Sequence, residues 1–316
     1  MEQGKSSTLI GGVDVGKWRL DAAIEGIGQQ LVTSNDAAGI AELAGWLIAN
    51  RVGRVGIEAT GGYERKLKAG LEAHGIEVVV HQPIEVKLYA RISRQRNKTD
   101  ATDARLIAAA TAAIKRQPKP SDPILLELSE RLTAYEQIAD QLMTLRTFKD
   151  SLSLTELIHT FDAQIGQLVR LKASLARQLL AAIKASTTLN ARFQLLTSLP
   201  GIGPIVAASL IVRMPELGQM QHGQPAALVG VAPHARDSGQ WTGKRFIAGG
   251  RSRPRRMLYL AALAARRHDK ALNAFANRLR EAGKPPKLII VAIMRKLIEA
   301  ANIVLKRQTP WTKLPA

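Results

Sequence analysis

The sequence predicts an α/β domain, then a long helical segment, then a mostly helical C-terminal domain. Short apolar runs alternate with stretches of helical period up to about residue 114, which is typical of a mixed α/β layer. A proline-rich stretch, KRQPKPSDP at 115–123, indicates a boundary. The following residues, 124–189, contain no proline and a single glycine, Gly166, as expected of long helices. We therefore divide the chain into residues 1–116, 117–190 and 191–316.

The N-terminal region begins with three apolar runs that predict consecutive strands: LIGGVDVGKW, RLDAAIEG and QQLVTS. Asp36 is a suitable cap for the helix that follows at 36–50. The runs RVGIEA and IEVVVH predict two more strands, each followed by a helix. Three strands in a meander, followed by alternating helices and strands, are the order expected of a ribonuclease-H-like fold.

Four carboxylates in this region are candidates for a metal site. Asp100 and Asp103, in RNKTDATDARLIA, share one face of a helix for which Thr99 is a good N-cap. Asp14 and Glu58 interrupt or end apolar runs, where an acid is costly unless it binds something. Neighbouring carboxylates repel unless a cation lies between them, and such oxygen ligands select Mg²⁺ or Mn²⁺. The alternative for each acid is an ordinary turn or helix-capping role.

The second region predicts two long amphipathic helices with a break near DSLSL. Their apolar residues recur at intervals of three and four: Leu128, Leu132, Tyr135, Ile138, Leu142 and Leu145, then Phe161, Ile165, Leu168, Leu171, Leu175 and Leu179. The apolar stripe is narrow and the other faces are polar, as in a coiled coil. A helical hairpin and an intermolecular coiled coil both fit. We favour a dimerisation arm over a plain bundle segment of the core.

The third region opens with a turn that suits phosphate binding. LTSLPGIGPIVAASLI predicts two helices joined by Pro-Gly-Ile-Gly, where Gly201 and Gly203 let backbone amides approach a phosphate. Such a helix-hairpin-helix grips a nucleic-acid backbone without reading its sequence. The alternative is a plain helix–helix turn. The C-terminal helix, at about 287–306, carries an apolar stripe that we interpret as core.

A glycine-rich basic segment lies between these helices. Its first half is short of helix formers and predicts a loop or hairpin in which Ser238 precedes Gly239. That serine is either a nucleophile held against phosphate or part of a turn, and its position alone favours the turn. The cations of the segment, four of them clustered before a helix, are expected to contact phosphate: Lys244, Arg245, Arg251, Arg253, Arg255 and Arg256.

The charge distribution predicts a polyanionic partner. The formal net charge is +19, and the segment from Arg192 onward holds 21 Lys and Arg against 5 Asp and Glu, a balance of +16. Nucleic acid is favoured over a membrane, because no strongly basic amphipathic helix has an aromatic face. The chain has no cysteine, which excludes disulfides and thiolate metal sites. Without a signal-peptide pattern or a long apolar run, we expect a soluble cytoplasmic protein.

The motifs taken together resemble one family. GVDVGK, IEATGGYE, RNKTDATDAR, LPGIGP, GVAP followed by SG, and GG-R-x-R-P-R-R-M-L-Y occur in this order along nearly the whole chain. In these motifs the chain is similar to insertion-sequence transposases with a RuvC-like DEDD domain, relatives of the Piv site-specific invertase. The resemblance implies a RuvC-like domain, a coiled-coil arm and a C-terminal transposase domain, working at the bacterial nucleoid.

The resemblance also implies roles for single residues and partners. The metal-binding tetrad would be Asp14, Glu58, Asp100 and Asp103. Ser238 would be the nucleophile that forms a phosphoserine bond with DNA during cutting and rejoining, with Ser252 as a fallback. The partners would be target and donor DNA and a noncoding bridge RNA that chooses both. Further copies of the chain would complete a homodimer or homotetramer joined through the arm.

Three other functions remain open. A hydrolytic RuvC-like junction endonuclease would use the tetrad without Ser238, and a covalent protein–DNA adduct distinguishes the two. An actin-like or sugar kinase has a phosphate loop similar to GVDVGK, but a second glycine-rich loop is absent and the basic C-terminal segment has no purpose there. An architectural nucleic-acid binder leaves the four acids unexplained.

Overall fold

The computed structural model describes residues 9–93, 100–114, 122–235, 237–238, 241–243 and 245–311. For Asp100, Ala101, Asp237, Trp241 and Thr242 the description covers the backbone alone. The chain divides into two compact units, Met1–Asp122 and Pro123–Ala316. The division falls at the predicted proline-rich boundary. A further division of the second unit near residue 190 stays a prediction.

The first unit is built on a five-stranded mixed sheet. Its elements are β1 (Leu9–Val15), β2 (Arg19–Ile24), β3 (Ile27–Ser34), α1 (Ala37–Ala49), β4 (Val52–Glu58), α2 (Glu64–Ala73), β5 (Glu77–His81), α3 (Pro83–Ile92) and α4 (Asp100–Ala113). The strand order is β3-β2-β1-β4-β5. The first three strands are antiparallel, and β4 and β5 run parallel to β1. These strands and helices confirm the elements predicted from the sequence and the ribonuclease-H-like order of the sheet.

Local sequence explains the boundaries of several of these elements. The carboxylate of Asp36 accepts a hydrogen bond from the backbone N–H of Gly39 at 2.9 Å, so the predicted cap of α1 is confirmed. That hydrogen bond is the main reason why the pKa of Asp36 lies below its ordinary value. Gly75 has a φ of +78°, which lets the chain turn away at the end of α2. The cap predicted at Thr99 lies outside the described residues.

The second unit is helical apart from one small hairpin region. Its elements are α5 (Pro123–Lys149), α6 (Thr155–Ala185), α7 (Thr187–Thr197), α8 (Pro204–Arg213), α9 (Gln224–Val229), β6 (Pro233–His234), β7 (Asp237–Ser238), β8 (Trp241–Thr242), β9 (Phe246–Ile247), α10 (Ser252–His268), α11 (Lys270–Glu281) and α12 (Pro286–Arg307). The apolar stripe of α12 is buried in the core of this unit, as predicted. Among the described residues, no helix is both long enough and apolar enough to cross a membrane.

The two predicted long helices form an antiparallel hairpin within one chain. Near its tip the rings of Phe148 and Phe161 meet edge to face at 5.2 Å, and Lys149 pairs with Asp162 at 2.7 Å. At its base, buried leucines and isoleucine of both helices join the core of the second unit: Leu128, Leu132, Leu179 and Ile183. The hairpin form left open by the sequence is therefore the one that this chain adopts, and its base is part of the core.

The structure differs from the sequence interpretation around α10 and α11. Helix α10 begins at Ser252, so Arg253, Arg255 and Arg256 lie in its first two turns and not before it. The prediction that this cluster precedes the helix is wrong by about one turn, because Pro254 takes an early helical position where its missing N–H costs nothing. Helix α11 was not predicted, and it buries one residue fully, Ala276.

Candidate active site and nucleic-acid surface

Asp14 and Glu58 stand at the ends of two neighbouring parallel strands. Strands β1 and β4 are paired in parallel, with Val13 opposite Ile57, so the next residue of each strand reaches the same edge of the sheet. Both acids are half-buried. The carboxyl end of central parallel strands is a common place for a functional site, and here it carries two carboxylates.

Helix α4 packs on the sheet at two glycines, Gly12 and Gly56. Their positions show which face of the sheet carries the side chains of Asp14 and Glu58. A Cβ on Gly12 would lie 2.3 Å from the carbonyl oxygen of Ala104, and a Cβ on Gly56 would lie 1.8 Å from Thr111 Oγ1. Because side chains two residues apart on a strand point to the same side, Asp14 and Glu58 face α4.

Asp103 belongs to the part of α4 that lies over β1. It precedes Ala104, whose backbone packs on that strand, and its side chain is half-buried. Asp100 begins the helix one turn earlier. The two strands and the helix that carry the four predicted acids thus pack against one another.

The donor chemistry of these residues fits a divalent cation, because carboxylate oxygens are the ligands that Mg²⁺ and Mn²⁺ prefer. Among the side chains that the structure describes, no group of three or more His, Cys, Asp or Glu residues is close enough to hold a metal ion. The side chain of Asp100 is not among them. The assembly of all four acids around a metal therefore stays a prediction.

Two further residues at this edge of the sheet were missed from the sequence. Asp21 lies opposite Asp14 in the antiparallel pair, is almost fully buried, and accepts hydrogen bonds from Arg19 at 2.9 and 2.7 Å. His81 ends β5 opposite Glu58 and is fully buried. The signal that could have found them is the one that identified Asp14, a polar residue within or ending an apolar run.

Ser238 lies near the tip of a nested hairpin. It pairs with Trp241 between β7 and β8, and Pro233 pairs with Ile247 between β6 and β9. The predicted hairpin is confirmed, and Ser238 is exposed. Ser252, the first residue of α10, is also exposed. The choice between the two serines as nucleophile stays a prediction.

The arginines predicted to contact phosphate have partners inside the protein. Arg251 makes two hydrogen bonds of 2.8 Å to the carboxylate of Glu216, and Arg255 donates to the carbonyl oxygen of Gly249 at 2.6 Å. Arg253 pairs with the buried carboxylate of Glu136, and Arg256 pairs with Asp140, an interaction that raises the pKa of Arg256. The pairs of Arg253 and Arg256 fasten α10 to α5, and phosphate contact by the arginines stays a prediction. Lys244 lies outside the described residues.

The two glycines of the predicted helix-hairpin-helix differ in their surroundings. Gly201 has a φ of +76°, and a Cβ there would lie 2.3 Å from the carbonyl oxygen of Ala261 in α10. Packing alone therefore requires a glycine at this position. Gly203 precedes α8, and a Cβ there would meet nothing within 4 Å. The open N-terminus of α8 beside Gly203 is the part of the turn that suits a phosphate.

A broad basic groove lies in the second unit among the hairpin, α10, α11 and α12, with a volume of about 2440 Å³. Nine Lys and Arg residues, among them Arg245, line its described walls against two acids, Asp269 and Glu299. Six of the cations come from or near α11 and α12 and were missed in the sequence: Lys270, Arg278, Lys287, Arg295, Lys296 and Arg307. Ser252 also lines the groove. Such an excess of positive charge fits a nucleic-acid backbone.

Comparisons with known proteins agree with these features. Residues 11–149 match the family model of the IS110 DEDD transposases, described as "Transposase", and residues 193–277 match "Transposase IS116/IS110/IS902 family". The pilin gene-inverting proteins of Moraxella lacunata and Moraxella bovis are each 30% identical to the chain over 321 residues, covering 98% of both proteins.

A more distant likeness is to the solved structure of T. thermophilus RuvC in complex with a Holliday junction substrate. It has 15% identity, covers 35% of this chain and 99% of that one, and has a TM-score of 0.29, too low to add to the argument. The family matches, in contrast, extend over most of the chain and imply a divalent metal in the DEDD domain. The chain belongs to the IS110 family of DEDD transposases, enzymes that cleave and transfer DNA strands.

Proposed function

We propose that this transposase cuts and rejoins DNA through a transient bond between Ser238 and a DNA phosphate. Mg²⁺, or Mn²⁺, would be held by Asp14, Glu58, Asp100 and Asp103. The observation that carries the proposal is the position of Asp14 and Glu58 at the ends of neighbouring parallel strands, both facing α4. A divalent cation bound by these acids would neutralise charge on the phosphate and orient its oxygens.

Exposure and chain geometry support Ser238 as the nucleophile. The residue is exposed near the tip of a hairpin, where a DNA phosphate has access to its Oγ. The Oγ would bond to phosphorus as the bond from phosphorus to the leaving sugar oxygen breaks, and the serine proton would end on that oxygen. The number of phosphate ester bonds is unchanged, so a sugar hydroxyl of another strand can reverse the step without ATP.

The groove among α10, α11 and α12 supports nucleic acid as the partner of the second unit. We propose that target and donor DNA and a noncoding guide RNA bind there, because its cations outnumber its acids by nine to two in the described lining. Recombination at chosen sites is also in keeping with the named activity of the pilin gene-inverting relatives. The guide RNA itself rests on the family resemblance.

The upper part of the α5–α6 hairpin supports association of several chains. Large apolar side chains are exposed there: Met143, Phe148, Leu154, Leu157, Val169 and Leu171. A monomer gains nothing from such exposure, whereas a second copy could cover these side chains. We propose that the hairpin joins protomers in a homodimer or homotetramer.

The test uses labelled DNA carrying the flanks of the gene that encodes the chain, with Mg²⁺ and the flanking transcript, on a denaturing gel. We expect cut DNA and a protein-sized shift that survives denaturant. Both should be lost in Asp14→Asn and Glu58→Gln. Glu25→Gln is the matched control, because Glu25 is an exposed carboxylate of the same unit at the turn after β2.

Two results would contradict parts of the proposal. Cleavage by Asp14→Asn at the wild-type rate would remove the metal role of that acid. Cut DNA without any shifted species would indicate a hydrolytic junction endonuclease. Ser238 would then be an ordinary hairpin residue without a nucleophilic role.

A further inference from the structure

His81 and Thr111 form a buried hydrogen bond beneath α4. His81 is 0% exposed and Thr111 is 3% exposed, and 2.8 Å separates His81 Nε2 from Thr111 Oγ1. The same hydroxyl donates to the carbonyl oxygen of Ile107 at 2.6 Å. Because a hydroxyl has one proton, Thr111 Oγ1 accepts from His81, and His81 carries its proton on Nε2.

This hydrogen bond lies beside one of the proposed metal ligands. His81 is the last residue of β5 and stands opposite Glu58 in the parallel pair. Thr111 sits directly over Gly56, where a Cβ would be 1.8 Å from its Oγ1. One buried contact thus ties α4 to both strands at the end of the sheet where Glu58 stands.

The contacts of α4 with the two sheet glycines are close and non-polar in character. Ala104 and Ala108 lie on Gly12, and Ile107 reaches Gly56. Such contacts hold two surfaces together without directional preference, because apolar burial depends on area and not on the alignment of particular atoms. A hydrogen bond between two buried groups fixes one relative position, since leaving either group unpaired is costly.

We propose that His81 and Thr111 are positioning residues for the metal site. Their hydrogen bond sets where α4 lies on the sheet, and hence the separation between the acids of the helix, Asp100 and Asp103, and the acids of the strands. This inference rests on the proposed metal role of those acids. It adds two residues that neither bind the metal nor touch DNA.

The test measures Mn²⁺ binding to the full-length protein without DNA, from the electron paramagnetic resonance signal of free Mn²⁺. Thr111→Val keeps the shape of the side chain and removes the hydroxyl, and we expect it to weaken Mn²⁺ binding about ten-fold, the lower end of the effect of outer-shell changes. Thr111→Ser keeps a hydroxyl at this position, and this variant should bind Mn²⁺ with an affinity within about two-fold of wild type.

A matched control separates positioning from general destabilisation. Thr33→Val also removes a threonine hydroxyl from the first unit, one that hydrogen-bonds Glu42 at 2.7 Å, away from α4. It should leave Mn²⁺ affinity unchanged even if thermal melting shows a lower Tm. If Thr111→Val melts below the assay temperature, Thr111→Ala provides the same comparison.

The outcomes distinguish this inference from the function on which it rests. Unchanged Mn²⁺ affinity in Asp14→Asn would contradict the proposed metal site, and the positioning role with it. Loss of binding in Asp14→Asn, together with wild-type affinity in folded Thr111→Val, would overturn the positioning role alone. Weakened binding in both Thr111→Val and Thr33→Val would also overturn it, since any loss of stability would then have the same effect.

Discussion

Asp14 lies directly opposite Asp21 across the antiparallel pair of β1 and β2, so their two carboxylates point to the same face of the sheet. Like charges in this arrangement destabilise a sheet unless positive charge compensates them. The guanidinium of Arg19 binds both oxygens of Asp21, at 2.9 and 2.7 Å. The positive charge of Arg19 therefore compensates the negative charge of Asp21. In the proposed site, a divalent cation compensates the negative charge of Asp14.

This relationship predicts an effect of Asp21 on the metal requirement. In Asp21→Asn, Arg19 loses the negative charge that its guanidinium binds at two points, and its positive charge can then compete with the metal for Asp14. We expect the Mg²⁺ concentration for half-maximal DNA cleavage to rise roughly three- to ten-fold. The double variant Arg19→Gln, Asp21→Asn should return towards the wild-type requirement. A metal titration of cleavage rates checks both, and an unchanged requirement in Asp21→Asn would contradict this role of Arg19.

The buried ion pairs of Glu136 predict a large effect on stability. Its side chain is 2% exposed and pairs with Arg213 at 3.1 Å and with Arg253. Glu136→Ala leaves Arg213 without this partner, and we expect the free energy of unfolding to fall by about 3 kcal/mol. Urea denaturation followed by circular dichroism measures the change.

Asp140→Ala is the control for Glu136→Ala. It breaks the pair with Arg256, in which the side chains are 38% and 55% exposed. Because solvent screens an exposed pair, we expect a loss of about 0–1 kcal/mol. Equal losses in the two variants would show that burial does not determine the strength of these ion pairs.

The turn between α7 and α8 predicts a large loss of stability on substitution of one of its glycines and a small change on substitution of the other. Gly201→Ala puts a side chain at a φ of +76° and against α10, so we expect a loss of stability of about 2 kcal/mol or more. Gly203→Ala has open space and should change stability by less than about 0.5 kcal/mol. Thermal melting compares them. Gly203→Asp should weaken nucleic-acid binding in a folded protein, and unaffected binding would contradict a phosphate at α8.

The basic groove predicts a specific salt dependence. Lys287 and Arg295 both line the groove, and each phosphate contact contributes about 0.9 to the slope of log affinity against log salt for duplex DNA. Replacing both by alanine should therefore reduce the slope by about 2. Lys149→Ala on the α5–α6 hairpin is the control. Equal slopes for wild type and the double variant would mean that these cations do not contact the DNA backbone.

The sequence predicted the first unit well because its signals are local. Asp36 caps its own helix and Gly75 ends one, and the apolar runs match the strands that form the sheet. What it missed depends on pairing between distant segments. Asp21 itself interrupts an apolar run, but that it lies opposite Asp14 is known only once the register of β1 and β2 is known.

The arginines of α10 show the same limit in the second unit. Their sequence suggests free cations, but Arg253 pairs with a glutamate 117 residues away, on α5. Helix α11 was missed although its apolar residues recur at helical spacing and pack against the core: Leu272, Phe275, Ala276 and Leu279.

The most direct test of the account is to identify the residue that carries DNA after cleavage. The reaction with labelled DNA and Mg²⁺ is stopped with denaturant, the protein and DNA are digested, and mass spectrometry finds the peptide that retains a nucleotide. We expect a nucleotide on Ser238, none in Ser238→Ala, and an unchanged yield in Ser252→Ala. A nucleotide on Ser252, or cleaved DNA with no modified peptide, would contradict this expectation.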